Sequence, residues 1–239
     1  MREDGRTEGD LRPVEIVPDY LEAAAGSALV VMGATRVLCT ASVEDDVPRW
    51  RREQGLGWVT AEYGMLPAST GQRRQRDVSR GRPDGRTTEI QRLIGRSVRA
   101  VVDMAALGPR TVWLDCDVLQ ADGGTRCASL SGARVALARA LARVRADEGL
   151  PGEPLVEPVS AVSVGIVDGV PLLDLAYTED SRAEVDCNIV MAGSGALIEV
   201  QATGEGATYT RAELDAMLDL AGEGIARLRE LQLEAAGAS

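Results

Sequence analysis

Apolar residues at 29–31 and 37–43, parted by the turn Gly33-Ala34-Thr35, predict a strand, a turn and a strand. Residues 57–66 predict a third strand. The period then changes. Ile90, Leu93, Ile94, Val98, Val101 and Met104 recur at helical spacing, so 87–107 reads as a helix stopped by Gly108-Pro109. Residues 111–120 are apolar enough for a central strand. After the turn Asp122-Gly123-Gly124, a second helix runs from about 126 to 145, with Ala133, Leu137, Ala140, Leu141 and Val144 on its buried face.

A connection rich in Pro, Gly and Glu at 149–158 divides a single domain into halves at about 10–148 and 158–235. The second half opens with a hairpin, 160–167 and 170–175, turning at Asp168-Gly169, a dipeptide suited to tight hairpins. A second hairpin pairs 185–191 with 197–201 around Gly193-Ser194-Gly195. Thr210-x-x-Glu213 is a capping box opening a last helix, with Leu214, Met217, Leu218, Ala221, Ile225 and Leu228 inward. The fold class is α/β (α+β): mixed sheets with helices packed across them.

One stretch breaks the pattern. Residues 67–85 hold almost nothing apolar except Val78, and carry Arg73, Arg74, Arg76, Arg80 and Arg82, with Arg86 just beyond. So long a segment without periodicity suggests a mobile basic loop that binds something. The chain has 239 residues and a net charge of −11, which taken whole argues against nucleic acid. Locally, residues 49–100 hold 12 arginines against 5 acids, a basic patch on an acidic body.

Composition removes several chemistries. There is no histidine, which excludes serine–histidine, cysteine–histidine and paired-histidine sites. There is no lysine, so every side-chain cation is a planar arginine fork able to grip phosphate in two places. Cys39, Cys116, Cys127 and Cys187 form no C-x-x-C pair and read as buried thiols in a reducing compartment. No apolar run reaches the roughly 20 residues of a membrane span, and residues 1–13 lack a secretory core. The expectation is a cytoplasmic protein with no membrane partner.

Two constellations could carry chemistry. Gly85-Arg86-Thr87 and Gly124-Thr125-Arg126 each open a helix, where free N–H groups, a hydroxyl and a guanidinium can hold an anion. Each alone is more often an ordinary cap; two that converged would hold one phosphate. The second is acidic: Asp174, Glu179, Asp180, Glu184 and Asp186. In an extended chain Asp180, Glu184 and Asp186 would share a face, and carboxylates so gathered suit magnesium. An acid-rich turn alone is weak. Together with the basic loop, the two describe phosphoryl transfer on a polyanion, with positioning and charge doing most of the work.

The segments Gly57-Trp58-Val59-Thr60-Ala61-Glu62-Tyr63-Gly64-Met65-Leu66-Pro67, Gly85-Arg86-Thr87-Thr88-Glu89-Ile90-Gln91-Arg92-Leu93-Ile94 and Leu114-Asp115-Cys116-Asp117-Val118-Leu119-Gln120-Ala121-Asp122-Gly123-Gly124-Thr125-Arg126 resemble the ribonuclease PH family. So do Asp4-Gly5-Arg6, Ala161-Val162-Ser163-Val164-Gly165-Ile166, Glu179-Asp180-Ser181 and Asp186-Cys187-Asn188. The resemblance spans nearly the whole chain. It departs at Ala68, where the family often has a basic residue, and at Ala176, Cys127 and Cys187.

The resemblance implies a phosphorolytic 3′→5′ exoribonuclease. It would trim transfer-RNA precursors by releasing nucleoside diphosphates, and could run in reverse to add nucleotides. It implies a homohexamer, a trimer of dimers, on RNA 3′ ends. Carried over by position, phosphate falls on Arg86, Gly124, Thr125 and Arg126, and magnesium on Asp180 and Asp186. RNA falls on Arg73 and Arg76, with Arg74 able to stand in for the cation that Ala68 does not supply. An acid, or a water on the metal, would protonate the leaving 3′ oxygen. The rival readings are a non-catalytic RNA-binding ring subunit and a metal-dependent hydrolytic nuclease. Phosphate dependence separates the hydrolase from the first reading, and both phosphate-site segments and both aspartates argue against the non-catalytic subunit.

Overall fold

The computed structural model describes residues 2–76, 79, 81–82, 84–147, 149–150 and 152–237. Asp77, Val78 and Arg80 of the basic segment, and the boundary residue Glu148, lie outside the described residues.

The strands are β1 (Val14–Pro18), β2 (Gly26–Met32), β3 (Thr35–Glu44), β4 (Trp58–Met65), β5 (Thr111–Gln120), β6 (Val159–Val167), β7 (Val170–Leu173), β8 (Val185–Ala192) and β9 (Leu197–Gly204). The helices are α1 (Gly85–Arg99), α2 (Met104–Leu107), α3 (Thr125–Asp147), α4 (Tyr177–Asp180) and α5 (Arg211–Ala236). One sheet runs β1-β2-β3-β5-β4, antiparallel except for the parallel pair β4–β5. The other runs β7-β6-β8-β9 and is antiparallel throughout.

Helix α3 lies between the two sheets, touching β2, β3 and β5 on one side and β6 on the other. From Cys127 to Leu137 every residue is buried, so it is enclosed on all sides rather than amphipathic. Close approach depends on small residues: a Cβ on Gly132 would fall 2.5 Å from Cys39 Sγ. All nine residues of β6 are buried, touched by both α3 and α5. Helix α5 starts at the expected capping box, Glu213 N–H donating to Thr210 Oγ1 at 3.3 Å while Thr210 N–H donates to Glu213 Oε2 at 2.6 Å. The Asp168-Gly169 hairpin turns with both φ angles positive, 52° and 76°. All four cysteines are buried and unbridged.

Two expectations are revised and two elements are added. The helix read over 87–107 stops at Arg99, and Met104–Leu107 is a separate turn capped by Asp103, whose Oδ1 accepts from Ala105 N–H at 2.8 Å. Period alone runs through that break because Val101 and Val102 stay buried. Strand β1 carries too short a pattern to stand out. The segment holding Glu179 and Asp180 is the one-turn helix α4. Asp180 therefore owes its place to that helix, and Glu184 precedes β8 and is exposed, so the three acids do not share a strand face.

Candidate active site

Helix α3 begins where β5 ends. Gly123 and Gly124 both take positive φ, 75° and 63°. The turn has no room for side chains: a Cβ on Gly123 would sit 2.5 Å from Leu175 O, and one on Gly124 would sit 2.9 Å from Arg12 Nη2. Among the described residues no side chain accepts from the first-turn N–H groups of Thr125, Arg126 and Cys127. These donors and the positive helix end are left open, an arrangement that can accept an anion.

Helix α1 differs. Its first turn is closed by its own sequence, with Asp84 Oδ1 accepting from Thr87 N–H at 2.6 Å. The two helix starts are therefore not equivalent. What α1 offers an anion is the exposed side chain of Arg86, which makes no hydrogen bond or ion pair among the described residues.

Arg86, Gly124, Thr125 and Asp180 line one cleft of about 1010 Å³, together with Arg73 and Arg74 from the basic segment. Arg76 faces an adjoining hollow of about 450 Å³, shared with Arg74, Arg82 and Asp117. The basic segment is anchored, not loose, where it meets the cleft: Arg74 N–H donates to Pro67 O and Ala121 N–H to Ser69 O, each at 2.8 Å. Arg74 also pairs with Asp84 at 3.5 Å, while Arg73 and Arg76 are exposed.

Arg126 is held from behind. Its Nη1 donates to Gln201 Oε1 at 2.9 Å and lies 3.5 Å from Glu89. Gln201 Nε2 donates in turn to Glu199 Oε1 at 2.8 Å, and Glu199 is gripped by Arg96 at 2.7 Å. The hydroxyls of Tyr63 and Thr125, both buried, lie 2.9 Å apart and tie β4 to the start of α3. Burial raises the Tyr63 phenol above its usual value despite Thr125 and the arginines 86, 126 and 74.

The acidic constellation divides. Glu179 is clamped by Arg2 through two bonds of 2.7 and 2.6 Å. Asp174, fully buried, is wrapped by Arg12. Glu184 accepts from Gly169 N–H at 3.0 Å. Asp180 and Asp186 remain. Neither forms an ion pair among the described residues, and the carboxylate of Asp180 accepts no hydrogen bond among them. Burial raises both carboxyls above the ordinary range; Asp180 pushes Asp186 further, while Arg86 and Arg126 pull both back. Two carboxylates and two guanidiniums thus share one electrostatic neighbourhood, of which Arg86 and Asp180 line the cleft while Arg126 and Asp186 stand behind its described lining.

The pair fits a divalent cation. Magnesium takes one or two carboxylates and fills its octahedron with water and substrate phosphate. Two half-buried, unpaired carboxylates that repel each other are a donor set of that kind, although no group of three or more Asp, Glu, Cys or His capable of holding a metal occurs among the described residues.

Some participants carried no signal in composition or periodicity, although Arg6 and Glu89 lie within the family-like segments. Arg2, Arg6 and Arg12 sit in a charged opening that reads as solvated, yet all three turn inward: Arg6 lies 3.6 Å from Asp174 and 3.4 Å from Glu179. Gln201 and Glu89 look like ordinary polar residues of a solvated face. Alternation along β9 puts Glu199 and Gln201 on one face but says nothing of what that face meets.

A model of the 3′ exoribonuclease family, domain 1, matches residues 10–142, and one of domain 2 of that family matches 157–224. The chain is 57% identical over 237 residues to the ribonuclease PH of Moorella thermoacetica, covering 99% of this chain and 95% of the relative. This chain belongs to the ribonuclease PH family. It is accordingly a phosphate-dependent 3′→5′ exoribonuclease. The Archaeoglobus fulgidus exosome solved with RNA bound to its active site aligns with a TM-score of 0.82 and 26% identity, over 96% of this chain and 91% of that one. An archaeal exosome core aligns at 0.76 with 23% identity, over 97% and 90%, and shares the ribonuclease PH fold. No described helix is long and apolar enough to cross a membrane.

Proposed function

We propose that the enzyme trims the 3′ ends of transfer-RNA precursors, with Arg86, Gly124, Thr125 and Arg126 holding the attacking phosphate. The observation that carries this reading is the uncapped N-terminus of α3 opening into the cleft that Arg86 lines. Phosphate bound there accepts from backbone N–H groups, from the Thr125 hydroxyl and from two guanidiniums. It is largely dianionic near neutral pH and needs no base to activate it, which suits a chain without histidine. One of its oxygens attacks the terminal phosphodiester phosphorus. The bond to the 3′ oxygen of the penultimate nucleotide breaks, and a nucleoside diphosphate leaves. The arginines neutralise charge gathering on the phosphoryl oxygens.

Asp180 and Asp186 are the residues that would hold magnesium. When bound, the ion would supply charge neutralisation at the transferring phosphoryl group. Carboxylates that hold the ion are deprotonated, so an acid other than these two would protonate the departing 3′ oxygen. Arg73 and Arg76, with Arg74 beside them, would guide the RNA backbone into the cleft. Assembly as a homohexamer, a trimer of dimers, is part of this reading and is supported by the fold shared with exosome cores.

The test is incubation with magnesium and a 3′-extended transfer RNA, with and without phosphate, beside Arg126→Ala. Shortening and diphosphate release only with phosphate, abolished in the variant, is the expected result. Monophosphate release without phosphate would make the protein a hydrolase. RNA binding without shortening in either buffer would make it a scaffold.

A further inference from the structure

We propose that Tyr177 is the platform on which the 3′-terminal nucleobase stacks while its phosphodiester is attacked. The inference rests on the phosphate site proposed above. Tyr177 lines the same cleft as Arg86, Gly124, Thr125 and Asp180, and the residue is 62% exposed. It is the only aromatic residue among the described lining of that cleft. A ring left this open contributes little to folding, and its hydroxyl bonds to nothing among the described residues.

Its placement is nonetheless fixed. Tyr177 opens helix α4, its N–H donating to Asp122 Oδ1 at 3.4 Å in the turn that leads into α3. Asp180 closes the same helix three residues later, and residues at i and i+3 lie on one helical face. Ring and carboxylate are thus carried by one rigid turn. That turn is secured from behind by Glu179, whose Oε2 accepts from Ala176 N–H at 3.0 Å and from Arg2.

The chemistry of the substrate calls for such a surface. The leaving product is a nucleoside diphosphate, so its base lies within one nucleotide of the phosphorus held between Arg86 and the α3 terminus. The cleft is otherwise lined by Asp180 and by arginines, glycines, glutamines and threonines, with Met65 and Ala121 its remaining apolar residues. Stacking on an aromatic ring accepts any base, because every base has a π face. An enzyme that removes successive residues of mixed sequence needs that indifference.

The test compares Tyr177→Ala and Tyr177→Phe on two RNAs: one ending in a normal nucleotide and one whose last nucleotide lacks its base. Tyr177→Ala should raise the RNA KM about 10-fold, within the range of one stacked base, and leave the phosphate KM unchanged. Tyr177→Phe should behave as wild type. Removing the base should weaken the wild type by a similar factor and Tyr177→Ala hardly at all. A Tyr177→Ala enzyme that still loses as much on the abasic substrate, or an RNA KM that does not move, overturns the platform. A shifted phosphate KM would instead assign Tyr177 to the anion site and also overturns it. Failure of the phosphate site itself would show separately, as shortening that ignores phosphate in the unsubstituted enzyme.

Discussion

Arg12 holds the fully buried carboxylate of Asp174 through three donors: its backbone N–H at 2.8 Å, Nε at 3.0 Å and Nη2 at 2.7 Å. Its remaining Nη1 donates to Asp122 O. One side chain from the start of the chain thus links the turn that opens α3 with the segment that carries Asp180. Asp174 itself takes a left-handed φ of 53°. The pair is structural, yet it fixes the distance between the proposed phosphate and metal groups.

Breaking that pair leaves the buried Arg12 facing only Asp122, 3.9 Å away and partly exposed, a loss of about 3–5 kcal/mol. Asp174→Ala should therefore lower the denaturant midpoint sharply. An unchanged midpoint would mean that the carboxylate is not what keeps Arg12 inside.

Gln201 touches no substrate in this arrangement but accepts from Arg126. Gln201→Leu removes the acceptor and frees the guanidinium to swing. The phosphate KM should rise about 10-fold, the scale of one charge-assisted hydrogen bond. Gln201→Glu should keep it low. In an Arg126→Ala background Gln201→Leu should have no further effect.

Magnesium should raise the melting temperature of the wild type by relieving the repulsion between Asp180 and Asp186. Thermal scans with and without the ion on Asp180→Asn and Asp186→Asn should show that rise lost. Both variants should also lose RNA shortening. A full magnesium shift in either variant would remove that residue from the metal site.

Asp115 sits away from the cleft, and burial, then Glu62 and Asp117, raise its carboxyl above the ordinary 3.8. A carboxyl that holds its proton more firmly when folded favours the native state below its unfolded pKa. That contribution is lost as pH rises through the raised value. Asp115→Asn should thus melt higher than wild type at pH 7, and the advantage should vanish on acidification to about pH 3.8. A gain independent of pH would point to packing instead.

Arg73 and Arg76 are exposed beside the cleft. Each, if it meets a backbone phosphate, contributes roughly 0.7 to the slope of log affinity against log salt for single-stranded RNA. Arg73→Ala and Arg76→Ala should flatten that slope by about this much, leaving the phosphate KM in place. An unchanged slope would take the residue out of the RNA path.

The sequence by itself determined most of the elements and their order along the chain, though not β1, the break before α2 or the turn of α4, and it supplied the residue types at the site. Strand and helix periods are local, and Gly123-Gly124 or Thr210-x-x-Glu213 signal their turns and caps within a few residues. It also presented Arg86, Arg126, Asp180 and Asp186 as candidates, because a family's long motifs lie along the chain. Only the tertiary structure decided which of them meet. Asp174 and Glu179 read like Asp180 and Asp186 in the chain, but the first two are bound by Arg12 and Arg2 from residues more than 160 positions away. The matched helix starts likewise parted company, since Asp84 closes one and no described side chain closes the other. Such outcomes depend on contacts between distant segments, and pattern along a chain carries no information about which distant partner fills a side chain's reach.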